Sequence, residues 1–283
     1  MATTLPVAIN SLTSADLAAL EEAVAALERS SFARKLSHMV GNRISFAGRA
    51  LPEKLQYIGS LAARRALESA LGVALNSLRG KPISADARLR HRQLAMVSGA
   101  LGGAMGLASL PVELPISTTI MLRAIADIAR QEGEDLTDPT AAMACLEVFA
   151  LGGHGEEGKV MEGGYLALRG LFAKTVSDAA AYVTHTGVVS ESAPALARLI
   201  GAIAGRFGVV VSQKTAAQAA PIIGAISGAV INVAFTEHFQ TLARGHFTVR
   251  RLERAYGPHE IRAEYARIAR ASGFWPQESA GAA

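Results

Sequence analysis

Two long stretches without a formal charge constrain most strongly what this chain can fold into. Residues 93–112 and residues 215–236 contain no Asp, Glu, Lys or Arg, and both are rich in glycine and alanine. Each contains two glycines four residues apart, namely Gly102 with Gly106 and Gly224 with Gly228. This spacing lets two helix backbones come close together, because no side chain separates them. The stretches therefore predict two glycine-rich apolar helices that pack on each other at the centre of the fold.

The rest of the chain has the periodicity of helices. Apolar residues recur at spacings of three and four residues, and no segment alternates as a half-buried strand does. Aromatic residues make up only 5% of the chain, which is unfavourable for a β-sandwich. We predict one all-α helical bundle domain over residues 14–275, with a flexible N-terminus at 1–13 and a flexible tail at 276–283.

Capping residues and prolines predict where several helices begin. Ser14 and Asp16 are good capping residues for a first helix. Pro52 and Pro194 suit the first turn of two further helices, because a proline there loses no helical hydrogen bond. A separate helix is expected over residues 237–257, after the second uncharged stretch.

One carboxylate lies between two prolines at the end of the first uncharged stretch. Pro111 and Pro115 should not both fit one regular helix, so we predict a break there and a new helix from Ile116. Glu113 would then lie in water before a helix N-terminus, where the helix dipole stabilises an anion. Alternatively, its charge limits membrane insertion or binds a cation of a partner. Arg123 belongs to the polar stripe of the new helix.

Three blocks of the sequence resemble a known family. The run GLASLPVELPISTTIMLRAIADIARQEGEDL (106–136) is similar to the central motif of the EcsC family. CLEVFALGG with the downstream GGYLALR (145–169), and the segment from APIIGAISG to LERAYG (220–257), look like that family's next two blocks. The family is named after a protein encoded beside an ATP-binding-cassette transporter. The resemblance implies a helical bacterial protein in a membrane-linked context, and it supplies no catalytic residue.

The densest group of possible metal ligands lies in a glycine-rich segment. It consists of His154, Glu156, Glu157 and Glu162. Four such donors within nine residues could hold a divalent ion. A solvated loop explains the same residues without a metal, and the chain lacks the cysteine and histidine set of a structural zinc site. We therefore expect no metal and no cofactor.

Three other residues deserve comparison with catalytic patterns. His238 and His246 lie eight residues apart on one side of the last long helix, and a dyad with Glu113 can be imagined. Buried histidines are the simpler interpretation, and Cys145 has the apolar neighbours of a core cysteine. No P-loop or nucleophile-elbow spacing occurs. We expect a protein that is not an enzyme, with a metal-dependent, peptidase-like hydrolase as the alternative.

The charges of the chain bear on partners and location. The formal net charge is +4, and arginines are grouped at Arg88, Arg90 and Arg92 and again at Arg244, Arg250, Arg251 and Arg254. Such groups attract anionic membranes. Nucleic acid is not expected, because the aromatic stacking platforms are missing. The N-terminus lacks the pattern of a signal peptide, so we expect a cytoplasmic protein, peripheral on the inner face of the cytoplasmic membrane.

Both uncharged stretches have nearly the length of a membrane span, but their glycines and polar residues weaken insertion. The sequence does not distinguish a protein that spans the membrane, one that attaches to it reversibly and a soluble helical bundle.

The leading expectation is a non-enzymatic, membrane-associated accessory protein of the EcsC type, linked to an ABC transporter system. Its partner would be an anionic membrane surface or a membrane protein such as a transporter. A helical scaffold that binds an apolar ligand between its helices is a further alternative, and the sequence indicates no oligomeric state.

Overall fold

The prediction of an all-α fold is confirmed. A computed structural model describes residues 12–32, 35, 53–78, 110–152, 164–186, 193–218 and 225–276. These ranges contain eight helices and no strand. The helices are α1 (Ser14–Arg29), α2 (Glu53–Leu78), α3 (Leu110–Gln131), α4 (Pro139–Leu151), α5 (Gly164–Thr186), α6 (Pro194–Gln218), α7 (Ala225–Tyr256) and α8 (Pro258–Ala271).

Helices α6 and α7 lie at the centre of this arrangement. Helix α6 packs against α2, α4 and α5, and α7 packs against α1, α3 and α8. The two helices also contact each other, and a cluster of aromatic rings joins them to α4. The rings of Phe149, Phe207, Phe235 and Phe239 have centroids 4.8 to 5.9 Å apart in neighbouring pairs. The core is therefore built around two helices, and α6 is the one that reaches α2.

Two glycines let α2 and α6 come close together. A methyl group added to Gly208 would lie 2.7 Å from the Cα atom of Ser60. One added to Gly59 would lie 2.8 Å from the carbonyl oxygen of Gly208. Both distances are too short for a real side chain, so this helix contact requires glycine at both positions.

The glycines that the sequence singled out are not the ones in this contact. Gly102, Gly106 and Gly224 lie outside the residues that the structure describes. Gly228 lies in α7, and its surroundings are not described. The predicted central packing through these four glycines therefore stays a prediction, as do the flexible termini.

The predicted break between the two prolines is wrong, because Pro111 and Pro115 both lie inside α3. Pro111 is in the first turn, where a backbone N–H has no helical partner in any case. The missing N–H of Pro115 costs one hydrogen bond, to the carbonyl of residue 111 at the helix end. The Thr119 hydroxyl donates to the carbonyl oxygen of Pro115 at 2.9 Å, one turn further along.

Helix α1 begins at Ser14, where the sequence places its start, but the capping residue differs, and one boundary later in the chain is wrong. The side-chain oxygen of Thr13, rather than Ser14 or Asp16, caps α1 by accepting a hydrogen bond from the Asp16 N–H at 3.1 Å. Helix α7 continues through Glu237 without a break. The change from apolar to charged residues at Glu237 alters which face can be buried, but it leaves the backbone hydrogen bonds of the helix intact. Pro194 starts α6 as predicted.

The α2–α6 contact can be tested with two glycines of the same helix. Gly208→Ala should lower the free energy of unfolding by about 1–3 kcal/mol, because the added methyl group overlaps the backbone of α2. Gly201 is exposed and has no atom within 4 Å of an added methyl group. Gly201→Ala should therefore stabilise the protein by up to about 1 kcal/mol through helix propensity. Urea unfolding measures both, and equal stabilities of the two variants would contradict the close contact.

Candidate functional site

A buried ion pair connects α3 to α6. Lys214 Nζ lies 2.6 Å from Glu113 Oε1, and the two side chains are 0% and 4% exposed. Glu113 is in the first turn of α3, but it is not in water as expected, so that interpretation is wrong. The cation beside it belongs to the same chain.

The surroundings of this pair are both aromatic and polar. The ammonium group of Lys214 lies 4.7 Å from the centroid of the Phe235 ring, which adds a cation–π contact. Burial lowers the pKa of Lys214, and the charge of Glu113 acts against that shift. Ser212 and Thr215, next to Lys214, are also buried, and their hydroxyls bond carbonyl oxygens of α6. The pair therefore has the character of an internal structural link.

A cleft of about 530 Å³ opens between α4, α5, α7 and α8. Its charged lining residues are Glu147 on α4, Arg169 on α5, Arg250 on α7 and Arg262 on α8. The other lining residues are small, hydroxyl-bearing or apolar: Thr140, Leu166, Gly170, Ala173, Val176, Ser177, Ala180, Ala181 and Thr184. The sequence search did not predict this cleft, because its charged residues come from four separate helices.

Carboxylates hold the arginines of the cleft in place. Arg169 Nη2 lies 2.7 Å from Glu253 Oε2, and Arg262 Nε lies 3.3 Å from the other oxygen of Glu253. Arg250 makes a bidentate pair with Glu134, at 2.8 and 3.0 Å. Such pairs fix the planes of the guanidinium groups, so the cleft has a preformed polar end.

Two buried polar atoms at the cleft have no hydrogen-bond partner. They are Oε1 of Glu147, which is 3% exposed, and Nη1 of Arg169. Burial raises the pKa of Glu147 to about 7; Arg169 and Arg250 act against this shift, and Glu253 adds to it. Near neutral pH the carboxyl group is therefore protonated in a large fraction of molecules. Buried polar groups in folded proteins are usually satisfied. Glu147 and Arg169 also line the cleft, which makes them candidates for contact with a ligand.

Comparison with known proteins gives one result. The EcsC protein family matches residues 8–252 of the chain. The chain belongs to the EcsC protein family. No curated protein and no solved structure gives a significant match. The matched range includes the Glu113–Lys214 pair and most of the cleft, whereas Glu253 and Arg262 lie beyond it.

The two candidate histidines of this EcsC-family protein are completely buried. His238 lies 3.2 Å from the Ser30 hydroxyl and 3.2 Å from the Gly152 carbonyl oxygen, and burial lowers its pKa to about 4. His246 Nδ1 lies 3.0 Å from the Tyr165 hydroxyl, and burial lowers its pKa well below the usual value. Since Glu113 pairs with Lys214, the imagined dyad with Glu113 has no support.

The remaining candidates for a reactive site are one cysteine and four possible metal ligands. Cys145 is buried, and desolvation raises the pKa of its thiol to about 12, so it stays protonated and unreactive. The possible metal ligands His154, Glu156, Glu157 and Glu162 lie outside the described ranges. Within those ranges, no group of three or more His, Cys, Asp or Glu side chains could hold a metal ion.

The second predicted basic group is largely paired inside the fold. Arg251 lies 3.0 Å from Asp16 and 2.9 Å from Glu132, and Arg254 pairs with Glu134, as Arg250 does. These contacts join α7 to α1 and to the α3–α4 connection. Much of this group's charge is therefore neutralised within the fold. Arg123 is exposed on α3, and Arg88, Arg90 and Arg92 lie outside the described ranges.

The buried pair predicts a large stability effect. Glu113→Gln should lower the free energy of unfolding by about 3–5 kcal/mol, because it leaves the Lys214 charge buried without a carboxylate. Adding Lys214→Met should recover part of that loss. The exposed pair of Arg64 and Glu68, at 2.8 Å, is the control: Arg64→Ala should cost less than about 1 kcal/mol. If Glu113→Gln costs no more than the control in urea unfolding, Glu113 is only a helix-cap residue.

Proposed function

We propose that this EcsC-family protein is a non-enzymatic interaction protein that binds a small molecule in the cleft between α4, α5, α7 and α8. The observation that carries the proposal is a cleft whose lining includes Glu147 and Arg169, two charged residues that each have a buried polar atom without a hydrogen-bond partner. Its volume of about 530 Å³ lies within the range of roughly 300–1,000 Å³ that is typical of small-molecule sites. Charged and hydroxyl-bearing side chains that converge beside apolar ones are also found in such sites.

Binding is favoured over histidine-based or cysteine-based catalysis by the positions of these side chains. His238, His246 and Cys145 are all fully buried and are used by the packing of the core. General acid–base or nucleophilic chemistry requires such groups within hydrogen-bond reach of a substrate. The alternative of a metal-dependent hydrolase rests on residues 154–162 alone.

A second proposal concerns the membrane, and α6 favours it. The segment Pro194–Ala217 has a mean hydropathy of 1.6 and is long and apolar enough to cross a bilayer, and 56% of its apolar window is buried in the fold. A core helix of a soluble protein can pass the same test. The exposed side of α6 carries Gly201, Ala202 and Gly205, with Arg198 one turn before them.

An uncharged face of small residues beside an arginine can lie against an anionic membrane surface, which attracts the arginine. We therefore propose peripheral association with the inner face of the cytoplasmic membrane, with lipid or a membrane protein such as an ABC transporter as the partner. Peripheral attachment fits this fold better than spanning, because the C-terminal end of α6 is linked to α3 through Lys214.

The cleft proposal is tested by native mass spectrometry of protein purified gently from its own cells. Wild-type protein should carry a bound small molecule. Ala173 is an exposed residue that lines the cleft, so Ala173→Trp should fill the cleft and remove the molecule without a large change in folding. Lys174 is exposed on the same helix and does not line the cleft, so Lys174→Trp should retain the molecule. Absence of a bound molecule from the wild-type protein, or its equal retention by both variants, would contradict binding in the cleft.

Cell fractionation tests the membrane proposal. A peripheral protein should sediment with membranes, resist a low-salt wash, and be released by high salt or carbonate. Arg198→Glu should reduce the sedimented fraction severalfold, whereas Lys174→Glu, which places the same charge on α5, should not. Complete solubility of the wild-type protein would refute the proposal, and resistance to carbonate would favour spanning.

A further inference from the structure

We infer that the ligand of the cleft is a single-chain amphiphile with an anionic head group. This inference rests on the proposal that the cleft is a binding site, and it adds the chemical class of the ligand. It follows from two properties of the lining: an excess of cationic groups at one end, and a neutral stripe of small side chains along α5.

The polar end has more arginines than carboxylates. Glu253 pairs with both Arg169 and Arg262, and Glu134 pairs with both Arg250 and Arg254. Arg254 does not line the cleft, so these two carboxylates serve the three guanidinium groups of the lining. Glu147 is the remaining acid at the cleft, and it adds no negative charge when it is protonated. While Glu147 is protonated, the lining therefore has one positive charge that an anionic head group can neutralise.

Arg169 is the residue best placed to bind that head group. Its Nη2 lies 2.7 Å from Glu253 Oε2, which restrains the guanidinium, and its Nη1 has no partner. A fixed guanidinium donates strong, directional hydrogen bonds to a carboxylate or a phosphate. Glu147 Oε1, also without a partner, could donate a further hydrogen bond in its protonated form.

The rest of the cleft lies along one face of α5. Six lining residues follow Arg169 at helical spacing: Ala173, Val176, Ser177, Ala180, Ala181 and Thr184. At about 1.5 Å per residue, they extend from roughly 6 to 22 Å beyond Arg169 along the helix axis. None of them is charged, and small side chains leave room beside the helix. A long, uncharged stripe beside a cationic end fits an extended hydrocarbon chain with an acidic head.

Isothermal titration calorimetry of the full-length protein at pH 6, where Glu147 is mostly protonated, and again at pH 8 tests this inference. The probes are dodecanoate and dodecyl phosphate, each below its critical micelle concentration. We expect one equivalent of at least one of them to bind, and their comparison identifies a carboxylate or a phosphate head. Dodecanol and dodecyltrimethylammonium have the same chain without an anionic head, and acetate has the head without the chain. All three should bind at least roughly tenfold more weakly.

Four variants locate the interaction. Arg169→Gln should weaken binding by roughly tenfold or more, because a charge-assisted hydrogen bond is lost. Glu147→Gln should tighten binding at pH 8, because it removes a negative charge from the lining of the cleft. Ala173→Trp should abolish binding, and Lys174→Trp should leave it unchanged. If Arg169→Gln fails to fold, the two tryptophan variants, on one helix, still decide whether the cleft is occupied.

Several outcomes would overturn the inference. Equal binding of dodecanol or of the cationic amphiphile would remove the role of the arginines. Equal binding by Ala173→Trp and the wild-type protein would place the amphiphile outside the cleft. If neither anionic amphiphile binds while native mass spectrometry finds a molecule that Ala173→Trp loses, the ligand class is wrong and the cleft remains a binding site. If both experiments are negative, the proposed function falls as well.

Discussion

The buried contact between Lys214 and Glu113 is the interaction on which the arrangement of the central helices depends. Its two charged atoms are 2.6 Å apart, and neither side chain has appreciable exposure to water. A shift of one helical turn, about 5.4 Å, would separate them and leave two unpaired charges in the core. The pair therefore links the first turn of α3 to the C-terminal part of α6. Because α6 also packs on α2, α4 and α5, it influences the position of two helices that line the cleft.

Several charged residues in the described part of the chain connect helices. Charged residues make up only 18% of the chain, and those near the end of α7 pair with carboxylates of α1 and of the α3–α4 connection. The cleft is different, because Glu147 and Arg169 each keep one buried atom without a partner. An unsatisfied buried group costs about 1–3 kcal/mol, which a bound ligand could recover. This contrast is the physical reason for placing the function at the cleft.

The two proposals are compatible with each other. An amphiphile with one hydrocarbon chain partitions into membranes, so a protein that binds it would meet it at a membrane surface. The cleft lies beside α5, and the exposed face of α6 with Gly201 and Gly205 belongs to a neighbouring helix. Attachment through α6 and binding beside α5 would use different surfaces. Each can therefore be removed by substitution without affecting the other.

The sequence alone determined the helical class, the start of α6 at Pro194, the burial of Cys145 and the resemblance to the EcsC family, because periodicity, capping and composition are local properties. Tertiary structure decided that Glu113 meets Lys214, which lies 101 residues away. Each of these residues borders one of the two uncharged stretches, and that is the only signal of the pair in the sequence. The cleft likewise depends on four helices that pack side by side. A local sequence pattern does not show which distant side chains come together when helices pack. The sequence therefore could not predict the site.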